Sequence, residues 1–500
     1  MIAGQVFWVK PGGRDMQGGE NPTANPFYPV RYWWLKRIGC GVIALIVAVA
    51  VTDLLWWRMA HRRYQSVIDA AYARGEPVLP RDFEQREKVL DEQNVALPLM
   101  DAATEFGLRS LNPIRYDLSD VLNPRAEDVT AVKKLMTENQ RAFALVRSAV
   151  LRPGAYWNIQ LQTPVSNPWG DILDTHWNLA ALLGISARIN HNEGNDREAL
   201  EIIRDILIIS VAIQSGPSTL NEEQTVWQLT RIACQLLDNL ATTDCKIVAA
   251  EGPERPFERS TTRSQFRGVI AMLLDDERFR AAQVKAWYGR RMEELDNARF
   301  VANGGTVYLQ GRPWSGADTP WMLRPKIILE SIPRAELLTR YATAFAQSNW
   351  QSARGIHPGG SYEFDVLNDY FRSVTMRHVT ALRLAILLYR RDHQNTYPVK
   401  LTDLVPTYLP NLPSDPYASD GRPLAYRWAP LPVIYSVSHN GKDDGGTSPP
   451  ILIGIEYYDG RWDEVDAVFP LDPSSQAVNH DPEKVTGDGH GGGDPEAQQP

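Results

Sequence analysis

Three cysteines in 500 residues exclude a disulfide-dense scaffold and any four-cysteine zinc site. The nine histidines are scattered at 61, 176, 191, 357, 378, 393, 439, 480 and 490, with no HExxH and no i, i+4 pair. GxxxxGK[ST] and GxSxG are absent, and GxGxxG occurs only as Gly487-x-Gly489-x-x-Gly492 in the acidic, Gly-rich C-terminal stretch, without the strand before it and the helix after it that a dinucleotide site needs, so the dinucleotide, P-loop and nucleophile-elbow signatures do not apply. Positive charge is also short: 52 Lys+Arg against 60 Asp+Glu leave a net charge of −8. That is not the basic balance of a nucleic-acid-binding chain. What is present is apolar material, 43% of residues, enough to build cores. A chain of this length predicts two to four structural units.

Residues 38–57, IGCGVIALIVAVAVTDLLWW, form an apolar run broken only by Asp53. At about 1.5 Å per residue it spans about 30 Å, the hydrocarbon thickness of a bilayer. Tyr32, Trp33 and Trp34 stand at one end and Trp56 and Trp57 at the other, as an interfacial belt requires. Lys36, Arg37, Arg58, Arg62 and Arg63 flank the run. Asp53 lies within a turn of the interface and can reach water, so it reads as tolerated. The run is too long and starts too late for a cleaved signal peptide. The reading is a single-pass helix over 32–57 in the cytoplasmic membrane, with the lipid bilayer as partner through 38–57. The short tail carries Lys10 and Arg14, which favours the N-terminus inside and the remaining domains outside.

Residues 1–31 are Gly-, Pro- and Asn-rich and aperiodic, so they read as a flexible tail. From 58 to 350 the periodicity predicts an irregular α-helical domain of stacked hairpins. Met59, Tyr64, Val67 and Ile68 continue the membrane helix to a cap at Gly75 and a stop at Pro77. Segment 126–151 reads as one helix. Segments 171–191 and 197–214 read as a hairpin turning at His191–Asp196, weakly similar to a tetratricopeptide unit, and 221–242 as the next helix. TVYLQ, within 302–320, reads either as a short strand between Gly turns or as part of a surface loop, functional or not, and helix resumes at 333–350. Asp171, Asp174 and His176 read either as a polar cluster in a cleft or, more simply, as a helix N-terminus whose acids offset the dipole. Residues 351–371, with His357-Pro358-Gly359-Gly360, read as a linker. Cys234 and Cys245 are candidates for a disulfide if the domain is extracytoplasmic; otherwise they are buried thiols.

The region 372–470 changes character. A helix, RSVTMRHVTALRLAILLYRRDHQNTYP, is followed by LTDLVPTYLPNLPSDPYASDGRPLAYRW and PVIYSVSHNGKDDGG. Tyr397-Pro398 stops the helix, and Asp415-Pro416-Tyr417, Asp420-Gly421 and Asn440-Gly441 are turn chemistry. Residues 424–428, 433–437, 451–455 and 464–468 alternate or run apolar like strands. The predicted unit is a small α+β module, a long helix on antiparallel strands. The ordered motifs Arg-Arg-Asp-x(3)-Thr-Tyr-Pro, Leu-x-x-Leu-Val-Pro-x-Tyr-Leu-Pro, Leu-Pro-x-Asp-Pro-Tyr and Tyr-x-Val-x-x-Asn-Gly-Lys-x-x-Gly-Gly, over about 372–446, resemble the globular head of the type II secretion major pseudopilin. The resemblance implies that fold, a bacterial origin and a calcium-binding loop, for which Asn440, Asp443 and Asp444 are the candidate ligands. The alternative is a plain solvated turn: Asn440 replaces an acidic residue, and Thr447-Ser448-Pro449-Pro450 stand where more acids belong. The pseudopilin leader sequence before the membrane helix is missing, so the resemblance implies a borrowed module, not a pilus subunit. Residues 471–500, an acidic Gly-rich stretch, read as a disordered tail.

The fold class expected is therefore mainly α, with one transmembrane helix, a helical-hairpin domain and a C-terminal α+β module. The function expected is a membrane-anchored, non-enzymatic envelope scaffold with a protein partner and no nucleic acid. The alternatives are an accessory part of a secretion or pilus-type assembly, and an envelope hydrolase working in the helical domain.

Overall fold

The computed structural model describes residues 33–85, 88–109, 126–165, 169–217, 219–242, 247–248, 261–309, 312–347, 350–356, 362–447, 462 and 465–471. It is mainly helical, with small antiparallel sheets. The chain divides into two units, Met1–Met59 and Ala60–Pro500.

Helix α1, Trp33–Ala73, belongs to both and changes character along its length. Up to residue 59 its large apolar side chains, including Ile43, Leu45, Ile46 and Leu54, are exposed on every side, with mean hydropathy 2.5 and none of that window buried. From Ala60 a single stripe, Ala60, Tyr64, Ile68 and Ala71, is buried at the spacing of one helix face. The helix ends as the sequence predicts. Gly75 adopts φ +73°, and Glu76 N–H donates to the Ala71 carbonyl, closing a Schellman-type cap.

The helical body follows as α2 (Ala96–Arg109), α3 (Ala126–Glu138), α4 (Gln140–Ala149), α5 (Asp171–Asn192), α6 (Asp196–Ser215), α7 (Leu220–Thr242), α8 (Arg263–Leu273), α9 (Asp276–Ala302) and α10 (Arg324–Ala346). Helices α5, α6 and α7 pack consecutively, turning at Gly194, whose φ of +77° suits glycine. The helix expected over 126–151 is broken at Asn139, whose side-chain amide donates to the Leu135 carbonyl and competes with the helical ladder. The strand expected at TVYLQ is β1, Thr306–Leu309, paired antiparallel with β2, Arg312–Ser315. Helix α10 begins nine residues before its expected start and runs through Pro333. Packing of Ile328, Ala335 and Leu338 against neighbouring helices outweighs the lost backbone bond.

The linker expected over 351–371 is corrected by the structure. Trp350–Ala353 is a helical turn, and Trp350 is buried. Its Nε1 donates to the His439 carbonyl at 3.3 Å, as do Gln351 Nε2 at 3.2 Å and Arg354 at 2.8 Å. Helix α11, Tyr362–Asp392, already buries Val366, Leu367, Tyr370 and Phe371 before residue 372. It ends at Asp392 rather than at Tyr397-Pro398, because Gln394 and Asn395 take positive φ. Strands β3 (Ala425–Arg427), β4 (Val433–Ser436) and β5 (Ala467–Pro470) form an antiparallel sheet in the order β3-β4-β5. The segment 451–455, expected as a strand, lies outside the described residues, as do the tails 1–31 and 472–500.

One hydrophobic cluster joins residues from Val95 to Leu471, so 95–353 and 362–471 share a core. An apolar helix such as α11 must be surrounded, and its charges must find partners inside. Arg383 pairs with Asp238 of α7 at 2.8 Å and donates to the Pro470 carbonyl of β5 at 2.7 Å. Removing Asp238 leaves the Arg383 charge buried without its carboxylate. Asp238→Ala is therefore expected to cost about 3–5 kcal/mol, read as a lowered thermal midpoint of the detergent-solubilised chain. The paired change Asp238→Leu with Arg383→Met recovers most of that loss. A cost under about 1 kcal/mol for Asp238→Ala contradicts the pairing.

Candidate functional site

The C-terminal loop after β4 holds the residues that the sequence singles out. Ser436 and Val437 leave the sheet by donating to the buried Asp415, whose carboxylate takes Ser436 Oγ at 2.7 Å, Val437 N–H at 2.9 Å and Tyr417 N–H at 3.0 Å. Asn440 then folds on itself: its Oδ1 accepts from Lys442 N–H at 2.7 Å, and its amide reaches Asp444 at 3.4 Å. Asp443 accepts from Gly445 N–H at 3.0 Å and pairs with Arg422 at 3.2 Å. Gly445 and Gly446 take φ of +78° and +62°, which reserves both positions for glycine. Gly446 also lies so close to the Tyr435 ring that a Cβ would meet it at 2.5 Å.

Sequence reasoning passed over Asp466. One of its oxygens accepts from Asp444 N–H at 2.9 Å and Gly446 N–H at 2.8 Å, and so closes the loop from beneath. Its other oxygen is buried and has no hydrogen-bond partner among the described residues. Burial raises its pKa, and the Asp444 and Asp443 charges add to that. Asn440, Asp443, Asp444 and Asp466 thus gather around one turn, but Arg422 and backbone N–H groups take part of their capacity. Among the described residues no group of three or more His, Cys, Asp or Glu side chains is placed to hold a metal. The stretch 448–461 lies outside the described residues.

The remaining candidates separate. Asp171 and Asp174 are exposed in the first turn of α5, whereas His176 is fully buried on another face, edge-on to Trp157 at 5.6 Å, with its pKa lowered by burial. They form a helix start, not a shared cleft. Cys234 is buried in α7, and burial pushes its thiol up to about 12; Cys245 lies outside the described residues.

A second set of polar groups is interior. His378 of α11 faces the Ser414 carbonyl with Nδ1 at 2.8 Å and Asp276 of α9 with Nε2 at 2.8 Å. Arg377 pairs with the same Asp276 at 3.4 Å and lies over the Phe279 ring at 4.1 Å. Beside it is a cavity of about 10 Å³ lined by Ser210, Gln214, Thr230, Arg278, Phe279 and Arg377. That is room for about one water, which is what these buried polar groups call for. Helices α7, α9 and α11 are thereby registered on one another by charge pairs. The helix 372–392 carried the signal: arginines and a histidine on an otherwise apolar helix must be paired inside.

No protein-family model, curated protein or solved structure matches the chain.

Two interior acids titrate near neutrality. Burial pushes Asp205 up to about 7 despite Arg147 at 2.6 Å, and Glu293 up to about 7 despite Arg290 at 3.1 Å. Their folded values lie above their unfolded ones. The associated stability is therefore complete below about pH 4 and is lost as pH rises through 7. Thermal melts from pH 5 to 8 should show a fall of a few degrees in the parent that Asp205→Asn reduces. An unchanged pH slope in Asp205→Asn contradicts the assignment.

Proposed function

We propose that the chain is a membrane-anchored interaction protein, held by residues 38–57, with residues 60–471 as the part that meets its partner. The observation that carries this reading is the change within α1, from apolar and exposed on all sides before residue 60 to buried along one stripe after it. A helix exposing Ile43, Leu45, Ile46 and Leu54 together requires an apolar surround, and 33–59 is long enough to cross a bilayer. The basic residues of the short N-terminal tail support that tail inside the cytoplasmic membrane and the body outside it. The Arg377–Asp276 and Arg383–Asp238 pairs and the Ser436 bond to Asp415 tie parts of the body to one another, which suits a scaffold.

A second reading, an accessory part of a secretion or pilus-type assembly, draws support from one feature. A long helix followed by three antiparallel strands, closed by Asp415 and Asp466, has the order that the pseudopilin-head resemblance implies.

Alkaline carbonate extraction of membranes carrying the full chain tests the anchor. The parent should remain in the pellet. Ile46→Arg with Val49→Arg costs about 5–7 kcal/mol of insertion energy and should move the chain to the supernatant. Release of the parent by carbonate contradicts the reading.

A further inference from the structure

Between Asp53 and Asp69 the chain carries no acidic residue, and that stretch holds Arg58, Arg62 and Arg63. All three are exposed, and among the described residues none of them has an ion pair, a hydrogen bond or a ring contact. The arginines on either side are engaged. The Arg37 guanidinium lies over the Trp33 ring at 3.8 Å, and Arg74 pairs with Glu76 at 2.6 Å. The nearest acid further on, Asp69, accepts from Gln65 Nε2 at 3.0 Å and stands about 10 Å of helix rise beyond Arg62. Arg62 is two residues from both Ala60 and Tyr64, so its side chain leaves α1 on the side away from the buried stripe. Arg58 is one turn earlier, at the i, i+4 spacing where like charges repel. Two such cations with a third beside them call for an anion from outside the chain.

Chain connectivity says which anion is within reach. Arg58 directly follows Trp57, and Arg63 comes six residues after it, about 9 Å of rise along α1. The headgroup layer on each side of the hydrocarbon is about 5–8 Å deep. Wherever 38–57 crosses a bilayer, the three guanidinium groups therefore stand at the level of lipid phosphates. A guanidinium fork matches two phosphate oxygens and keeps its charge at every physiological pH. A zwitterionic headgroup offsets its phosphate with its own ammonium group, whereas an acidic headgroup does not.

We infer that Arg58, Arg62 and Arg63 form a binding collar for acidic phospholipid headgroups, in the leaflet that meets this end of the span. This rests on the membrane reading above. A chain with a net charge of −8 is repelled as a whole by an anionic surface, and the collar supplies the local attraction that offsets it. The protein thus selects the lipid around its anchor rather than only crossing it.

The test uses the purified full chain in detergent, with equal amounts of phosphatidylglycerol and phosphatidylcholine added, and native mass spectrometry to count the lipids retained. The parent should retain phosphatidylglycerol about fivefold or more over phosphatidylcholine. The triple variant Arg58→Gln, Arg62→Gln, Arg63→Gln should retain the two almost equally. The matching triple Lys variant keeps the charge and should keep most of the preference. A control with Lys134→Gln, Arg141→Gln and Lys326→Gln, all exposed on the body, should behave as the parent. Equal retention of both lipids by the parent overturns the collar, as does a preference that survives in the triple Gln variant. Loss of the preference in the Lys and Gln variants alike overturns it too, since charge would then not be its cause. So does competition by an equal concentration of inorganic phosphate, which would make the ligand a free anion. The anchor is read separately, by carbonate extraction of the same variants. A triple Gln variant that stays in the pellet without the lipid preference is the expected pair of results. Release of the parent by carbonate overturns the anchor, and the collar with it.

Discussion

An arginine placed on a helix with no water around it must bring its counter-charge with it. Helix α11 is that helix, and its Arg377, His378 and Arg383 decide where the other elements lie. Arg383 draws in Asp238 of α7 and the edge of β5, while Arg377 and His378 share Asp276 at the start of α9. A mismatch at any of these points would leave a buried charge unpaired, which costs more than an apolar contact yields. The helical body and the C-terminal sheet are therefore parts of one packed unit.

Aromatic rings carry that unit outward from the pairs. Trp287 of α9 stacks on Tyr341 of α10 at 4.6 Å, Phe345 meets Tyr370 at 4.9 Å, and Trp350 contacts Phe371 and Tyr417 at 5.7 and 5.6 Å. This succession leads from α9 and α10 across α11 into the loop that Asp415 and His439 organise. At its other end, α9 holds the Ala60–Pro77 stretch through Tyr64 and Arg291. One rigid helix thus touches both the C-terminal module, through Asp276, and the Ala60–Pro77 stretch, through Leu295 and Arg291.

Local features were legible in the sequence and distant pairings were not. The apolar run 38–57, the caps at Gly75 and Gly194, and strands near 425 and 433 follow from composition and turn chemistry over a few residues. The α10 start was hidden because Pro333 is normally a terminator, and only packing against α9 overrides it. The stretch before residue 372 read as a linker because His357-Pro358-Gly359-Gly360 is loop chemistry, whereas the anchor of this stretch is Trp350 on a carbonyl 89 residues away. At the site, Asn440 and Asp443 announced themselves through their turn, but Asp466 binds that turn from 22 residues further along the chain. His378 and Asp276 stand 102 residues apart, a separation at which no periodicity of a single sequence pairs residues.

The claim that one buried charge system unites residues 60–471 is tested most directly by hydrogen exchange across increasing denaturant. The account predicts that the slowest amides of α7 and of α11 converge on one opening free energy and one denaturant slope, because neither helix can leave without stranding the Asp238–Arg383 pair. Opening of 362–471 at a distinctly lower free energy, with α7 still protected, would contradict it.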